Sequence, residues 1–320
     1  MIRYLARRTV HAVLVLFLIS VAAFLLVEIA PGTYVDEMRL NPRLSPETIK
    51  LLKSRYGLDQ PLPVRYLHWL RSAVRGEFGF SFSYGIPAGD VIWPRARNTF
   101  VLTLAATASA WFVAILLAVL TSMPSGAWLM RVVRPPLALL QSIPDVLIAL
   151  LLLLAAVRLH WSRPPRGALA GASVFSSGTA DHLLLPVLAL TLILLPTLAR
   201  HAQAAIGEAL TATHIQAARA LGIPAGRFWT LYVLPSAANP LISLLGLSIG
   251  NLLSASILVE IIMGWPGAGP MLLEAIFSRD VSVVVGCALL AAAFLIAGNL
   301  AADLLLWFVD PRIHLERQCA

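Results

Sequence analysis

The chain has 320 residues, 59% of them hydrophobic and only 12% charged, with a mean hydropathy of +0.82, whereas a soluble domain carries about 25% charge. A water-soluble globular protein is excluded, because apolar runs of about 20 residues, the length a bilayer requires, recur along the sequence. The net charge of +8 comes almost wholly from Arg scattered between those runs, so no nucleic-acid surface is expected. Cys287 and Cys319 are too few for a disulfide framework or a cysteine metal site.

The pattern predicts an all-α, polytopic membrane protein with six spans: Thr9 to Ala30, Thr99 to Thr121, Leu137 to Val157, Leu183 to Ala199, Ser236 to Met263 and Val281 to Val309. Residues 1–30 read as a retained N-terminal anchor, since the apolar core after Arg3, Arg7 and Arg8 outruns that of a signal peptide and no clear cleavage site precedes Pro31. Residues 31–98 read as a helical insertion on the outer side. One helix is outlined there by Ser45, Pro46 and Gly57, and a second runs from about Val64 to Arg75, with Gly76 as its stop. Residues 99–320 form the remaining five spans. With both termini inside, the inner pieces hold ten Arg against four in the short outer loops, in keeping with the positive-inside rule. The insertion carries ten basic and six acidic residues. Arg71 and Arg75 are its candidates for capturing a partner from the outer side, since rim charges steer association.

The inner loop of about 200–235 carries the most information. Thr213 with Gln216 three residues later forms a capping-box pattern, and Gly222 stands where a left-handed C-terminal residue belongs. The predicted helix is two turns long, with Ile215, Ala218 and Leu221 or Gly222 on one face and small Ala217 and Ala218 leaving the backbone open to close approach. That build suits docking into a groove of a partner, and it also fits an ordinary surface helix joining two spans. Phe228, Trp229, Leu231 and Tyr232 follow as an amphipathic segment at the interface.

The stretch Gln216-Ala217-Ala218-Arg219 through Gly222, with Leu234-Pro235 beyond it, resembles the EAA loop of the inner-membrane permease subunits of binding-protein-dependent ABC importers. The wider resemblance is to the B-type permease of dipeptide and oligopeptide importers. It rests on Ala30-Pro31-Gly32, Tyr56-Gly57-Leu58-Asp59-Gln60-Pro61-Leu62, Gly76-Glu77-Phe78-Gly79, Ser142-Ile143-Pro144, Glu260 with Gly264-Trp265-Pro266-Gly267, and Asp310-Pro311-Arg312. The departures are Gln216 where the family has Glu, Thr33 after Pro31-Gly32, and Asp145 after Pro144. The resemblance implies a bacterial or archaeal inner-membrane protein with a coupling helix at Thr213 to Gly222. Its implied partners are a second homologous permease, two ATP-binding subunits and an extracytoplasmic solute-binding protein. It implies no catalysis and no cofactor in this chain, with ATP and Mg bound by the ATPase subunits; no P-loop occurs in the sequence.

Four acids fall inside the predicted spans, and depth arithmetic along straight helices separates them. Glu28 and Glu260 come out near outer ends and Asp303 near an inner end. Asp145, after Pro144, comes out about 12 Å in from Leu137, near mid-membrane. Asp145 and Pro144 are therefore candidates for the translocation path, with Asp145 bonded to Gln141 or Ser142 and only holding helices together as the alternative, and Glu260 is a candidate for that path at its gate or for a structural role. Gly246 and Gly250 read as a small face for close helix packing. Gly246-Leu247-Ser248-Ile249-Gly250 also matches a G-x-S-x-G nucleophile pattern, but inside an apolar helix and not at a strand-to-helix turn. An ion-coupled secondary transporter centred on Asp145 is the rival reading, and it would have no need of the helix from Thr213.

Overall fold

The computed structural model describes residues 2–29, 47, 54, 59–123, 126–160 and 179–309. Most of the predicted helix from Ser45 to Tyr56, most of the Arg158 to Arg166 cluster and the Asp310-Pro311-Arg312 motif lie outside the described residues. In chain order the elements are α1 (Ile2–Ile29), α2 (Leu62–Ala73), β1 (Phe80–Ser81), β2 (Ile86–Pro87), α3 (Ala88–Ser122), α4 (Ala127–Ser142), α5 (Asp145–Arg158), α6 (Thr179–Thr211), α7 (Thr213–Ala220), α8 (Ala225–Arg227), a π-helical turn (Phe228–Val233), α9 (Leu234–Met263), α10 (Ala268–Phe277) and α11 (Val281–Val309). Among the described residues five helices are long and apolar enough to cross a membrane, and up to seven if each of two bent pairs is one span. Among the described residues the fold is all-α apart from one two-residue antiparallel ladder, Phe80 opposite Pro87 and Ser81 opposite Ile86.

The apolar run from Leu137 to Val157 is not one straight helix. It breaks at Ile143 and Pro144 into α4 and α5, bent by 111°. Proline has no N–H to continue the ladder and its ring forces the preceding residue out of the helical region. Ile143 accordingly sits at φ −87°, ψ 131°. A second proline effect lies ahead of α9. Pro235 cannot donate to the carbonyl of Leu231, and the π-helical turn opens the ladder there before α9 proceeds.

The described residues fall into two compact units. The first combines the residues up to Thr99 with Pro266–Phe294, and the second combines the rest of α3 with α4 to α9 and the end of α11. In the second unit Leu102, Ala106, Ala110, Ala114 and Ala118 recur every four residues along α3, each 0% exposed. That small-residue stripe lets neighbouring backbones approach closely. Ser109 and Thr191 share a hydrogen bond of 2.6 Å, and Gln203 Nε2 donates to Thr121 Oγ1 at 3.3 Å. Gly246 and Gly250 of α9 face α11. A Cβ on Gly246 would stand 2.6 Å from Asn299 Oδ1, and one on Gly250 2.8 Å from Leu295 Cδ1. On α11, a Cβ on Gly298 would meet Ile249 Cδ1 at 2.6 Å.

In the first unit α2 lies alongside α1, level with Phe17 to Phe24. Tyr66 bonds Ser20 at 2.7 Å and meets the rings of Phe17 and Phe24 at 6.4 and 5.4 Å. The insertion thus reaches along the apolar run of α1 instead of standing wholly beyond it, as aromatic side chains do at a bilayer interface. Tyr84 donates to Glu274 Oε2 at 2.5 Å, and burial, with that bond second, pushes its hydroxyl well above the ordinary phenol range.

Asp280 organises the rest of the first unit. It is 0% exposed. Its Oδ1 accepts from the backbone N–H of Val283 at 3.3 Å, capping the start of α11, while its Oδ2 accepts from Ser81 Oγ at 2.5 Å and from the Ser83 N–H at 3.1 Å. One side chain therefore ties the β1–β2 turn to α11 across about 200 residues of sequence. Asp280→Ala leaves three donors without a buried acceptor and is expected to cost about 3 kcal/mol. Thermal unfolding of the purified protein should show a clearly lowered Tm, and an unchanged Tm would mean that water replaces all three bonds.

Candidate coupling site

The side of the second unit where α3 ends is fixed by the Thr121–Gln203 bond. From Gln203, α6 runs eight further residues to Thr211, about 12 Å at 1.5 Å per residue, so α7 is held clear of the level where α3 stops. A single residue, Ala212, separates the two helices. It occupies the cap position of α7 in extended conformation, and no side chain caps that end. The capping box expected of Thr213 and Gln216 is thus not formed, because α6 continues to Thr211 and leaves Thr213 as the first helical residue. Gln216 Nε2 instead donates to the carbonyl of Thr211 at 3.3 Å, one of the unpaired carbonyls that close a helix. A carboxylate could not make that bond, which gives Gln216 a physical role of its own.

Gly222 has φ +69° and its N–H reaches the carbonyl of Arg219 at 3.1 Å, the left-handed stop expected from the sequence. A Cβ there would meet nothing within 4 Å, so the constraint is conformational and not steric. Ile215 and Ala218 are 1% and 3% exposed and belong to the apolar core of the second unit, whereas Leu221 is 81% exposed. The face assigned from sequence therefore divides. Ala218 packs inward with Ile215, and the outward surface is made by Thr213, His214, Gln216, Ala217, Arg219, Leu221 and Gly222. His214 Nε2 lies 3.2 Å from Ser236 Oγ on α9. Between α7, the end of α6 and the π-helical turn lies a groove of ≈ 380 Å³ lined by Leu210, Ile215, Gln216, Arg219, Ala220 and Phe228.

The other candidates are spread out. Arg71 and Arg75 are exposed, on and just after α2. Asp145 is exposed in the first turn of α5 with Pro144 at its cap. The depth of about 12 Å assumed a straight helix from Leu137, and the 111° bend removes it. Glu260 is 0% exposed near the end of α9. Ser248 is 3% exposed and its hydroxyl donates to the carbonyl of Leu244 at 2.7 Å within a continuous helix, so no nucleophile elbow exists. Among the described residues no group of three or more His, Cys, Asp or Glu could hold a metal ion.

Family models of the binding-protein-dependent transport system inner membrane component match residues 80–315, and of its N-terminal region residues 1–88. The chain belongs to this family. It is 30% identical over 317 residues to the oligopeptide transport system permease protein AppB of Bacillus subtilis, covering 98% of this chain and 100% of the relative. Against the dipeptide transport system permease protein DppB of Escherichia coli the identity is 29% over 340 residues, with 99% and 100% covered. The glutathione transport system permease protein GsiC of Escherichia coli is 29% identical over 319 residues, again with 99% and 100% covered. Among solved structures, the inward-facing MetNI methionine ABC transporter superposes with a TM-score of 0.55 at 17% identity, over 69% of this chain and 96% of that one, a likeness of fold. The chain is thus a multi-pass permease subunit of a binding-protein-dependent transport system in an inner membrane.

Sequence reasoning missed two features of the site and its frame. The inward anchor of α7 was masked because alanine and isoleucine at helical spacing do not say which face is covered. Asp280, immediately before the apolar run from Val281, carries a readable N-cap signal, but its bonds to Ser81 and Ser83 are too distant in sequence to foresee.

Proposed function

We propose that this chain is a permease subunit of an ATP-driven importer of peptide-like solutes, working with a second homologous permease, two ATP-binding subunits and an extracytoplasmic solute-binding protein. The peptide assignment is supported by the names of its full-length relatives, an oligopeptide and a dipeptide permease among them. The observation that carries the mechanism is the two-sided build of α7. Its inner face is sealed into the bundle and its outer face, with Ala217, Leu221 and Gly222, is free to enter a cleft on an ATPase subunit. Both termini and α7 lie on the cytoplasmic side in this proposal. Closure of the ATPase dimer then moves α7 and, through Ile215 and Ala218, tilts α6 and α9 between inward-open and outward-open states. The chain itself performs no chemistry.

Two further sites complete the proposal. The insertion, with Arg71 and Arg75, forms part of the seat for the binding protein. Asp145 with Pro144 lines the inner part of the path and offers a counter-charge to a cationic group such as a peptide α-ammonium. Glu260, in a buried position, is assigned to the wall of that path.

Gly222→Val imposes a left-handed backbone on a β-branched residue, a cost of about 1–2 kcal/mol, at a position where an added Cβ meets no atom within 4 Å. The expected outcome is an intact permease that loses ATPase subunits on purification and loses substrate-stimulated ATP hydrolysis. Full retention and activity would refute docking through α7. In the reconstituted importer, Arg71→Glu with Arg75→Glu should weaken binding-protein capture most at low salt. Asp145→Asn should slow uptake of free-amine peptides more than of N-acetylated ones. Capture unchanged across a salt series, or equal losses for both cargo types, would remove the corresponding role.

A further inference from the structure

We infer that α4 lies in the plane of the membrane and binds anionic phospholipid headgroups through Arg131 and Arg134, so that lipid charge tunes the activity of the transporter. The inference starts from helix direction. The Ser109–Thr191 and Thr121–Gln203 bonds join positions twelve residues apart on α3 and twelve apart on α6, so these two helices run parallel. The chain between them must therefore cross the bilayer in the opposite sense. α5 is the apolar limb of that crossing, reaching about 21 Å at 1.5 Å per residue, since it carries no charge between Asp145 and Arg158 and packs on both α6 and α9. With α5 along the membrane normal, the 111° bend lays α4 about 20° from the membrane plane. α4 begins a few residues after the Thr121 level, on the side of the bilayer where α7 emerges.

The surface of α4 divides three ways, as an in-plane helix requires. Leu129, Met130, Val133, Leu137 and Leu140 are partly buried, and α4 packs on α6. Trp128, Val132 and Leu139 form an adjacent stripe that is 68%, 51% and 63% exposed. Arg131, Arg134, Gln141 and Ser142 occupy the third side. A helix immersed in hydrocarbon would not carry two Arg, and one facing water would not expose that apolar stripe. With Trp at headgroup depth and the Arg stems lying along the acyl boundary, both demands are met. α4 contains no acid, so its charge is complementary to an anionic leaflet. Naming that leaflet cytoplasmic rests on the proposed orientation, whereas the lipid contact does not.

The test uses the purified importer in nanodiscs of phosphatidylcholine with increasing phosphatidylglycerol. Each basic side chain near an anionic surface is worth about a fivefold gain in binding, so the Arg131→Gln, Arg134→Gln variant should bind the anionic lipid about thirtyfold more weakly. Expected is a several-fold rise in substrate-stimulated ATP hydrolysis with phosphatidylglycerol for the native protein and a flat response for the variant. An equal response in the variant, or none in the native protein, overturns the inference. Loss of the second permease from the variant in native mass spectrometry also overturns it, since the face then belongs to a protein contact. Brominated lipids give an independent reading that needs no ATPase partner: the native protein should show quenching that the Trp128→Phe variant lacks. Equal quenching in both means that lipid does not cover this stripe.

Discussion

Ile215 and Ala218 are set into the apolar core of the second unit at 1% and 3% exposure, and this burial makes α7 a part of the span bundle. A helix of eight residues has no stability of its own in water, where a dozen or more are needed even for good helix formers. Its shape is imposed by the core behind it and by the stops at Ala212 and Gly222. A load applied to Leu221 from outside therefore cannot be absorbed by α7 alone. Under the proposed coupling it passes to α6 through the one-residue joint and to α9 through the π-helical turn and the His214–Ser236 contact.

The same economy of backbone hydrogen bonds governs the rest of the fold. In lipid a polar backbone group without a partner costs several kcal/mol, so each break in a span has an identifiable remedy. At Ile143 and Pro144 the remedy is a full change of direction, with α5 starting afresh. Before Pro235 it is a widened turn. At the start of α11 it is the side chain of Asp280, which serves the helix end and the β1–β2 turn together.

Much of this was legible in the sequence because it depends on local chemistry. The apolar runs, the left-handed Gly222 and the short helix before it need only neighbours in sequence. The family resemblance likewise rests on motifs strung along the chain. What was not legible depended on three dimensions. The sequence places Asp145 near mid-membrane only if the helix is straight, and Pro144 decides otherwise. Ala217 and Ala218 are adjacent and chemically identical, yet one is exposed and the other buried, since the core chooses between them. The substitution of Gln216 for an acid reads as a loss until its bond to the Thr211 carbonyl is seen.

The central claim is that force passes from the outer face of α7 into the spans through the Ile215 anchor. Ile215→Ala removes that anchor, at about 2–5 kcal/mol for a buried aliphatic side chain, while leaving Ala217, Leu221 and Gly222 in place for docking. The decisive measurement is the number of substrate molecules carried per ATP hydrolysed in proteoliposomes, with ATPase retention checked in the same preparation. The account predicts full retention, continued hydrolysis and a ratio that falls several-fold. Retention with an unchanged ratio would contradict it.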